Sequence, residues 1–215
     1  MLFVFAFSAS DEGGQEVLSF VFPAIVSMSV FFAGAPFATR IVTWREHKVF
    51  RRLACTPTPV GWLVAAYGAV YVGIALLQAV VVLLIGRGLL GVNLHGQGAL
   101  LALGPLALTA CCFAEYGALI ASLVRKTETV NVVYIFTLLP MVFIGPAFTS
   151  NDRLPGALRL VGEWLPASVS IKLVRPLLET GHLPEQAALL TLVLAGYTLL
   201  FAVGAVFLFR RNAWL

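Results

Sequence analysis

The sequence has very little charge. Only 11% of its 215 residues are Asp, Glu, Lys or Arg, whereas a soluble globular domain averages about 25%. Hydrophobic residues make up 60% of the chain, and its mean hydropathy is +0.96. A surface with so few charges cannot have water as its only solvent, so the composition predicts an integral membrane protein.

The sequence also lacks the common catalytic motifs. It contains no GxxxxGKS/T nucleotide-binding loop, no HExxH and no GxSxG, so we expect it to be no enzyme and not to hydrolyse ATP by such a loop. Its three cysteines provide no disulfide framework. Loops on both sides of the predicted membrane hold the histidines, which therefore cannot meet at one metal ion: His47, His95 and His182. We expect no metal and no cofactor bound by this chain.

Five apolar segments are long enough to cross a membrane, which takes about 20 residues of helix. Backbone groups in lipid must be hydrogen-bonded within the protein, so each segment is expected to be a helix. Strands of a barrel would be about half as long and would alternate polar with apolar residues, a pattern that is absent. The sequence predicts an all-α integral membrane protein, one domain over residues 1–215. Its spans are expected at about 17–38, 60–85, 98–124, 130–148 and 186–209.

The basic residues indicate the orientation of the spans. One set of loops holds nine of them and the other set five, and the richer set adjoins the span ends, as cytoplasmic loops do. The C-terminus is then cytoplasmic, in a multi-pass protein of the cell (inner) membrane. The net charge of +4 follows this membrane pattern and does not indicate nucleic-acid binding. The nine are Arg40, Arg45, Lys48, Arg51, Arg52, Arg125, Lys126, Arg210 and Arg211. The five are Arg87, Arg153, Arg159, Lys172 and Arg175.

The N-terminal stretch MLFVFAFSAS is apolar but too short to span. It is either a loose outer tail or the outer end of a sixth span whose upstream part precedes Met1. A bare apolar tail in water is unfavourable, which favours the second interpretation.

Glu115 is the one ionisable residue deep in a predicted span. Such a charge is costly in hydrocarbon and usually faces protein or a water-filled path. Two interpretations stand side by side: a contact with substrate or a partner helix, or a buried structural acid. Gln78, Asn131 and Tyr134 are candidates to bond with it in an intramembrane polar site.

The basic segment between the first two spans alternates charged with apolar residues. Its pattern from Trp44 to Leu53 predicts a short amphipathic helix at the cytoplasmic surface, which Pro57 and Pro59 end. The simpler interpretation is a surface helix held by anionic lipid. The candidate contact residues are Glu46, Lys48, Val49, Phe50, Arg51, Arg52 and Leu53.

The outer segment Asn151–Leu183 is not expected to be a plain loop. Its apolar residues recur at helical spacing in two groups, and Pro155 and Pro166 suit helix ends. We expect two short helices that enter the outer leaflet or cap the translocation path. The alternative is one surface helix with a mobile link.

Several of these segments together resemble a known family, the membrane subunits of type-2 ABC transporters. WREHKVFRRLACTP resembles the family signature between its second and third spans; Lys48 stands where glycine is common, and Arg51 where glutamate is frequent. EYGALIASLVRKTETVN, LLPMVFIGPAF and LPGALRLVGEWLPASVSIKLVRPLLETG resemble its closing half. The resemblance covers about residues 17–215. The signature matches are Glu46, Arg52, Leu53, Thr56 and Pro57, and the outer-segment matches are Leu154-Pro155, Leu165-Pro166 and Arg175.

The resemblance implies a permease subunit that exports a drug-like, lipid or polysaccharide substrate. A separate ATPase subunit would bind ATP, and a second permease copy, identical or different, would complete the path within the membrane lipid. The helix from Glu46 to Leu53 would couple the two kinds of subunit. The family has six spans, which agrees with a first span upstream of Met1. The alternatives are a non-ABC membrane assembly protein or a secondary transporter, although no internal repeat typical of the latter is visible.

The predicted topology is testable at Cys55, which follows the basic segment. With Cys111 and Cys112 replaced, an impermeant thiol reagent applied to intact cells should leave Cys55 unmodified, because that loop is cytoplasmic. Permeabilised cells provide the positive control. Labelling of Cys55 from outside would reverse the whole topology.

Overall fold

The described part of the protein is helical and contains the five spans that the sequence predicts. A computed structural model describes residues 12–49, 60–92, 95–144 and 162–212. Its main helices are α1 (Glu12–Glu46), α2 (Val60–Gly88), α3 (Gly96–Leu123), α4 (Thr127–Ile144), α5 (Pro166–Thr180) and α6 (Ala187–Asn212). All except α5 are long and apolar enough to cross a membrane. The prediction of an all-α membrane protein with five spans is confirmed.

The bundle has two ends with different charge. Contacts of Arg45 with Ala121 and Phe209, and of Glu46 with Thr127, bring the ends of α1, α3 and α6 and the start of α4 to one end of the bundle. We call the end with residues 43–49, 124–127 and 211 the basic face, because basic residues concentrate there. The end with residues 88–96 and 180–187 is called the opposite face.

Helix α3 lies at the centre of the bundle. It packs against α1, α2, α5 and α6, and 67% of the residues in its most apolar stretch are buried, compared with 11% in α6. Small side chains let the neighbouring backbones approach closely, which is how helices associate in lipid. The small buried residues of α3 include Ala102, Ala110, Ala114, Gly117, Ala118 and Ala121.

Helix α5 enters the bundle from the opposite face without crossing it. It begins with Pro166 in its first turn and ends at Gly181, which has a φ of 75°, as a left-handed C-cap requires. The hydroxyl groups of Ser170 and Thr109 lie 2.8 Å apart, and Thr109 is about 20 Å along α3 from Gly96 at the helical rise. The helix predicted to start at Pro166 is therefore present, and its entry into the outer leaflet stays a prediction. The helix expected near Pro155 falls outside the described residues.

Helix α1 extends further than the sequence predicted. The first span was expected to end near residue 38, and a separate surface helix was expected to begin at Trp44. Instead α1 runs continuously to Glu46, and the chain turns at Lys48, whose φ is 54°. The prediction was wrong for residues 44–46, which belong to the end of a span. Residues 50–53 lie outside the described part, so the rest of the coupling helix stays a prediction.

The bundle itself explains how α1 accommodates Arg45 close to its end. The Arg45 guanidinium group donates a hydrogen bond to the Ala121 carbonyl oxygen of α3 and lies 5.2 Å from the centre of the Phe209 ring. Arginine can pack on an aromatic ring and still satisfy its donors. One guanidinium nitrogen thus has an acceptor on α3, and the group packs against a ring of α6.

Gly98 tests how closely α3 and α5 pack. A Cβ atom added at Gly98 would overlap the Leu177 carbonyl oxygen, whereas one added at Gly104 on the same helix would meet open space. We expect Gly98→Ala to lower the free energy of unfolding by about 3 kcal/mol, because a backbone carbonyl cannot rotate out of the way.

Thermal unfolding in detergent would measure the effect, with Gly104→Ala as the matched control. Equal unfolding temperatures for the two variants would contradict the close crossing of α3 and α5.

Candidate functional site

An open cleft of about 640 Å³ lies in the side of the bundle near the basic face. Helix α1 forms its floor, and residues of α2 and of the first turns of α4 form its walls. The volume falls within the range of about 300–1,000 Å³ that is usual for ligand pockets. The lining residues are Pro36, Thr39, Arg40, Thr43, Tyr67, Thr127, Glu128 and Asn131.

The cleft lies between α2 and α4, which both pack on α1 but make few contacts with each other in the described structure. One side of α1 therefore remains uncovered between them. The exposed residues on this side recur every four positions, at Phe32, Pro36 and Arg40, which is the spacing of one helix face. The face changes from apolar to charged towards the basic face.

Two charged residues belong to the described lining of the cleft, and they stand on different helices. Arg40 belongs to α1 and Glu128 to α4, and neither forms a salt bridge with any other described residue. The Arg40 guanidinium carbon lies 5.9 Å from the centre of the Trp44 ring. Both charges are exposed to the cleft and remain free to meet a ligand.

Aromatic side chains support this wall of the cleft. The Trp44 ring packs edge-on against Tyr67 at 5.1 Å between ring centres, and Tyr67 stacks on Phe37 at 5.6 Å. Trp and Tyr concentrate at the membrane–water interface, because one end of each ring system is polar. From this tendency we expect the cleft mouth to lie at the level of the lipid headgroups.

Glu46 connects the end of α1 to the start of α4. One carboxylate oxygen accepts a hydrogen bond from the Thr127 backbone N–H at 3.0 Å, and the other accepts one from the Thr127 hydroxyl group. Thr127 is the first residue of α4. A carboxylate suits this position because the first N–H groups of a helix have no partner within the helix and attract negative charge.

A second connection between α1 and α4 lies deeper in the membrane. The buried Tyr134 hydroxyl group of α4 donates a hydrogen bond to the Phe31 carbonyl oxygen of α1 at 2.7 Å. A Cβ atom at Gly34 would overlap that hydroxyl group, so only glycine permits the contact. Pro36 follows closely and removes one hydrogen bond from the helix ladder of α1. The segment from Pro36 to Glu46 is thus joined to α4 near both its ends.

The predicted site residues at the end of α1 are only partly described. Glu46 and Lys48 are exposed at the basic face and Val49 is half-buried. Phe50, Arg51, Arg52 and Leu53 lie outside the described residues. Glu46 was predicted as a contact for another subunit, and the structure adds an internal role, the connection to Thr127.

The three residues predicted to form an intramembrane polar site are not joined by hydrogen bonds in the described structure. Gln78 is exposed on α2, and Glu115 is half-buried on α3. Asn131 lines the cleft. Tyr134, the further candidate partner of Glu115, bonds to α1 instead. At the helical rise, Glu115 lies about 12 Å from the basic-face end of α3 and Asn131 about 6 Å into α4.

Sequence analysis missed Arg40, Tyr67 and Glu128 as a set. Arg40 was counted only for topology, although its spacing of four residues from Trp44 places both on one face of α1. Glu128 lies in the first turn of α4, where an acid is common for helix stability alone. No signal in the sequence brings the two charges to one cleft, because 87 residues separate them.

These features define a multi-pass helical membrane protein with a polar cleft at one interface. The chain belongs to the ABC-2 type transporter family, whose model matches residues 1–178. It is therefore an ABC transporter permease, a membrane component of transport, as the resemblance implied. Permeases of this family work with ABC ATPase subunits, generally as dimers. A comparison with curated proteins found no match.

The Glu46 connection can be tested from its α4 side. Thr127→Val removes the hydroxyl donor and should loosen the first turn of α4, so backbone hydrogen exchange at residues 127–130 should become about fivefold faster. Thr129→Val is the matched control, because Thr129 is exposed in the same turn and its hydroxyl group has no described bond to α1.

Hydrogen–deuterium exchange with mass spectrometry in detergent would measure both variants. If the two exchange alike, the hydroxyl bond to Glu46 does not hold the start of α4.

Proposed function

We propose that this chain is the permease subunit of an ABC exporter, driven by a separate ATPase subunit that binds its basic face. The basic face and the C-terminus are cytoplasmic in this proposal, and the membrane is the cell (inner) membrane. Two permease copies form the translocation path, and the substrate is drug-like, a lipid or a polysaccharide. The observation that carries the proposal is the polar cleft in a family member's bundle, directly beside the segment expected to meet the ATPase.

The cleft suits transport because its polar lining is unusual for a surface that faces lipid. Charged groups in a span normally face protein or a water-filled path. Arg40, Glu128 and Asn131 all line the cleft, although they lie within or beside spans. A lining of this kind offers polar groups to a substrate and supplies no reaction chemistry of its own.

Movement at the basic face would reach the cleft through α1 and α4. Glu46 binds the first residue of α4, and Tyr134 binds α1 deeper in the membrane. Between these two connections, Pro36 weakens the hydrogen-bond ladder of α1. If the ATPase displaced Glu46, the segment of α1 from Pro36 to Glu46 would therefore move together with α4. The cleft that both helices line would then change shape.

The coupling segment is testable at Phe50. Phe50→Ala should weaken binding of the ATPase subunit by about 1–3 kcal/mol, the usual loss for a buried apolar anchor. Leu89→Ala is the control, because Leu89 is 70% exposed at the opposite face. Quantitative co-purification of the ATPase with each variant measures the effect. ATPase binding that Phe50→Ala leaves unchanged would refute the proposed contact.

Charge at the end of α1 is tested by Glu46→Lys. We expect export to fall while the protein still inserts into the membrane. The substitution reverses a charge at the expected contact with the ATPase subunit, and it also removes the hydrogen bonds from Thr127 to Glu46. Thr127→Val separates the two causes, because it disturbs that connection only. If Glu46→Lys reduces ATPase recruitment no more than Thr127→Val does, Glu46 acts inside the permease and not at the interface.

A further inference from the structure

We propose that the cleft binds the headgroup of a zwitterionic phospholipid of the phosphatidylethanolamine type, with Arg40 on the phosphate and Glu128 on the ammonium group. The inference rests on the proposed function and deepens it, because it names the chemical class of substrate that the cleft recognises. Neither residue was predicted as a site residue from the sequence.

The first argument is the arrangement of charge. The described lining of the cleft presents one cation and one anion from different helices, and no salt bridge among the described residues neutralises either. A purely anionic headgroup would be repelled by Glu128. A purely cationic headgroup would be repelled by Arg40. A headgroup that carries both charges meets both residues. Arginine is well suited to the phosphate, because its planar guanidinium group can donate two parallel hydrogen bonds.

The second argument is the depth of the charges. Trp44 and Tyr67 mark the interface on the two helices beside the cleft, and Trp62 is 75% exposed near the start of α2. Aromatic residues of this kind lie at headgroup level. Arg40 stands one helical turn further in than Trp44, but its guanidinium carbon lies 5.9 Å from the centre of the Trp44 ring. The long side chain thus reaches back to the level of Trp44, where the phosphates and ammonium groups of lipids are expected.

The third argument is the polarity gradient along α1. From Arg40 towards the middle of the membrane, the same exposed face continues with Pro36 and Phe32. An amphiphile with its headgroup at Arg40 would lay its acyl chains along this apolar part. The cleft is open at the side, between α2 and α4. A lipid can therefore enter from the membrane plane.

A simpler explanation exists for each charge by itself. Arg40 could anchor α1 by reaching to the interface, and Glu128 could stabilise the start of α4 as an acid in its first turn. Neither role distinguishes one headgroup from another. Headgroup selectivity that depends on both residues is therefore the property to measure.

The test uses the full chain in phosphatidylcholine nanodiscs without any ATPase. A photoactivatable phosphatidylethanolamine probe labels the protein, and unlabelled phosphatidylethanolamine or phosphatidylglycerol competes. We expect Arg40→Gln to reduce labelling at least fivefold. Glu128→Gln should abolish the preference for phosphatidylethanolamine over phosphatidylglycerol, because it removes the partner of the ammonium group. Arg125→Gln is the matched control, since Arg125 is exposed at the same face outside the cleft lining.

Each outcome decides the proposal. Labelling of Arg40→Gln equal to that of Arg125→Gln, with both variants folded by thermal unfolding, overturns it. Unchanged selectivity in Glu128→Gln overturns it as well. Free O-phosphorylethanolamine that displaces the probe at equal concentration would show that a soluble headgroup compound, and not a lipid, is the ligand. Peptides of α1 and α4 that carry the photolabel in the wild-type chain support the lipid site.

A separate arm keeps the two proposals distinguishable. Co-purification with the ATPase subunit is measured for the wild-type chain and for Arg40→Gln. Failure of the wild-type chain to recruit an ATPase would refute the proposed function and leave the lipid-binding result standing. Normal recruitment without headgroup selectivity would refute the lipid site and leave the permease function intact.

Discussion

The rest of this structure depends on one constraint: inside hydrocarbon, polar groups must find their partners within the protein, because no water is present to bond with them. Hydroxyl groups in the spans donate hydrogen bonds to carbonyl oxygens one turn earlier in the same helix. Ser27 bonds in this way to Pro23 at 3.0 Å, and Thr109 to Pro105 at 2.8 Å. Tyr134 meets the constraint by donating to a carbonyl oxygen of α1. Arg40 and Glu128 in the cleft differ from these groups, because neither forms a salt bridge with another described residue.

The same constraint connects the basic face to the membrane interior. The N-terminal N–H groups of α4 need acceptors, and Glu46 of α1 supplies one. The Tyr134 bond to Phe31 then holds the two helices together at depth. Interactions that complete the hydrogen bonding of a helix end thus also join the segment expected at the ATPase to the helices that line the cleft. In the proposed function, the bonds that satisfy these helix ends would also carry the coupling.

Much of the fold was predictable because it follows from local composition. Each span is an apolar run of sufficient length, and Pro166 predicts the start of α5, since proline suits the first turn of a helix. The prediction failed at residues 44–46, because the charged residues there were taken to belong to a separate surface helix and not to the helix of the first span. Arg45 instead finds the Ala121 carbonyl oxygen and the Phe209 ring, partners that lie 76 and 164 positions away in the chain.

The sequence by itself determined that this chain is a helical membrane protein, how many spans it has and which loops are basic, because each of these depends on the polarity of neighbouring residues. The family resemblance was also visible, since its motifs are local. Only the tertiary structure decided that α2 and α4 stand apart on α1, and that Arg40 and Glu128 share the space between them. Helix packing is set by the shapes of faces that meet from distant parts of the chain, and no local pattern encodes which gap remains open.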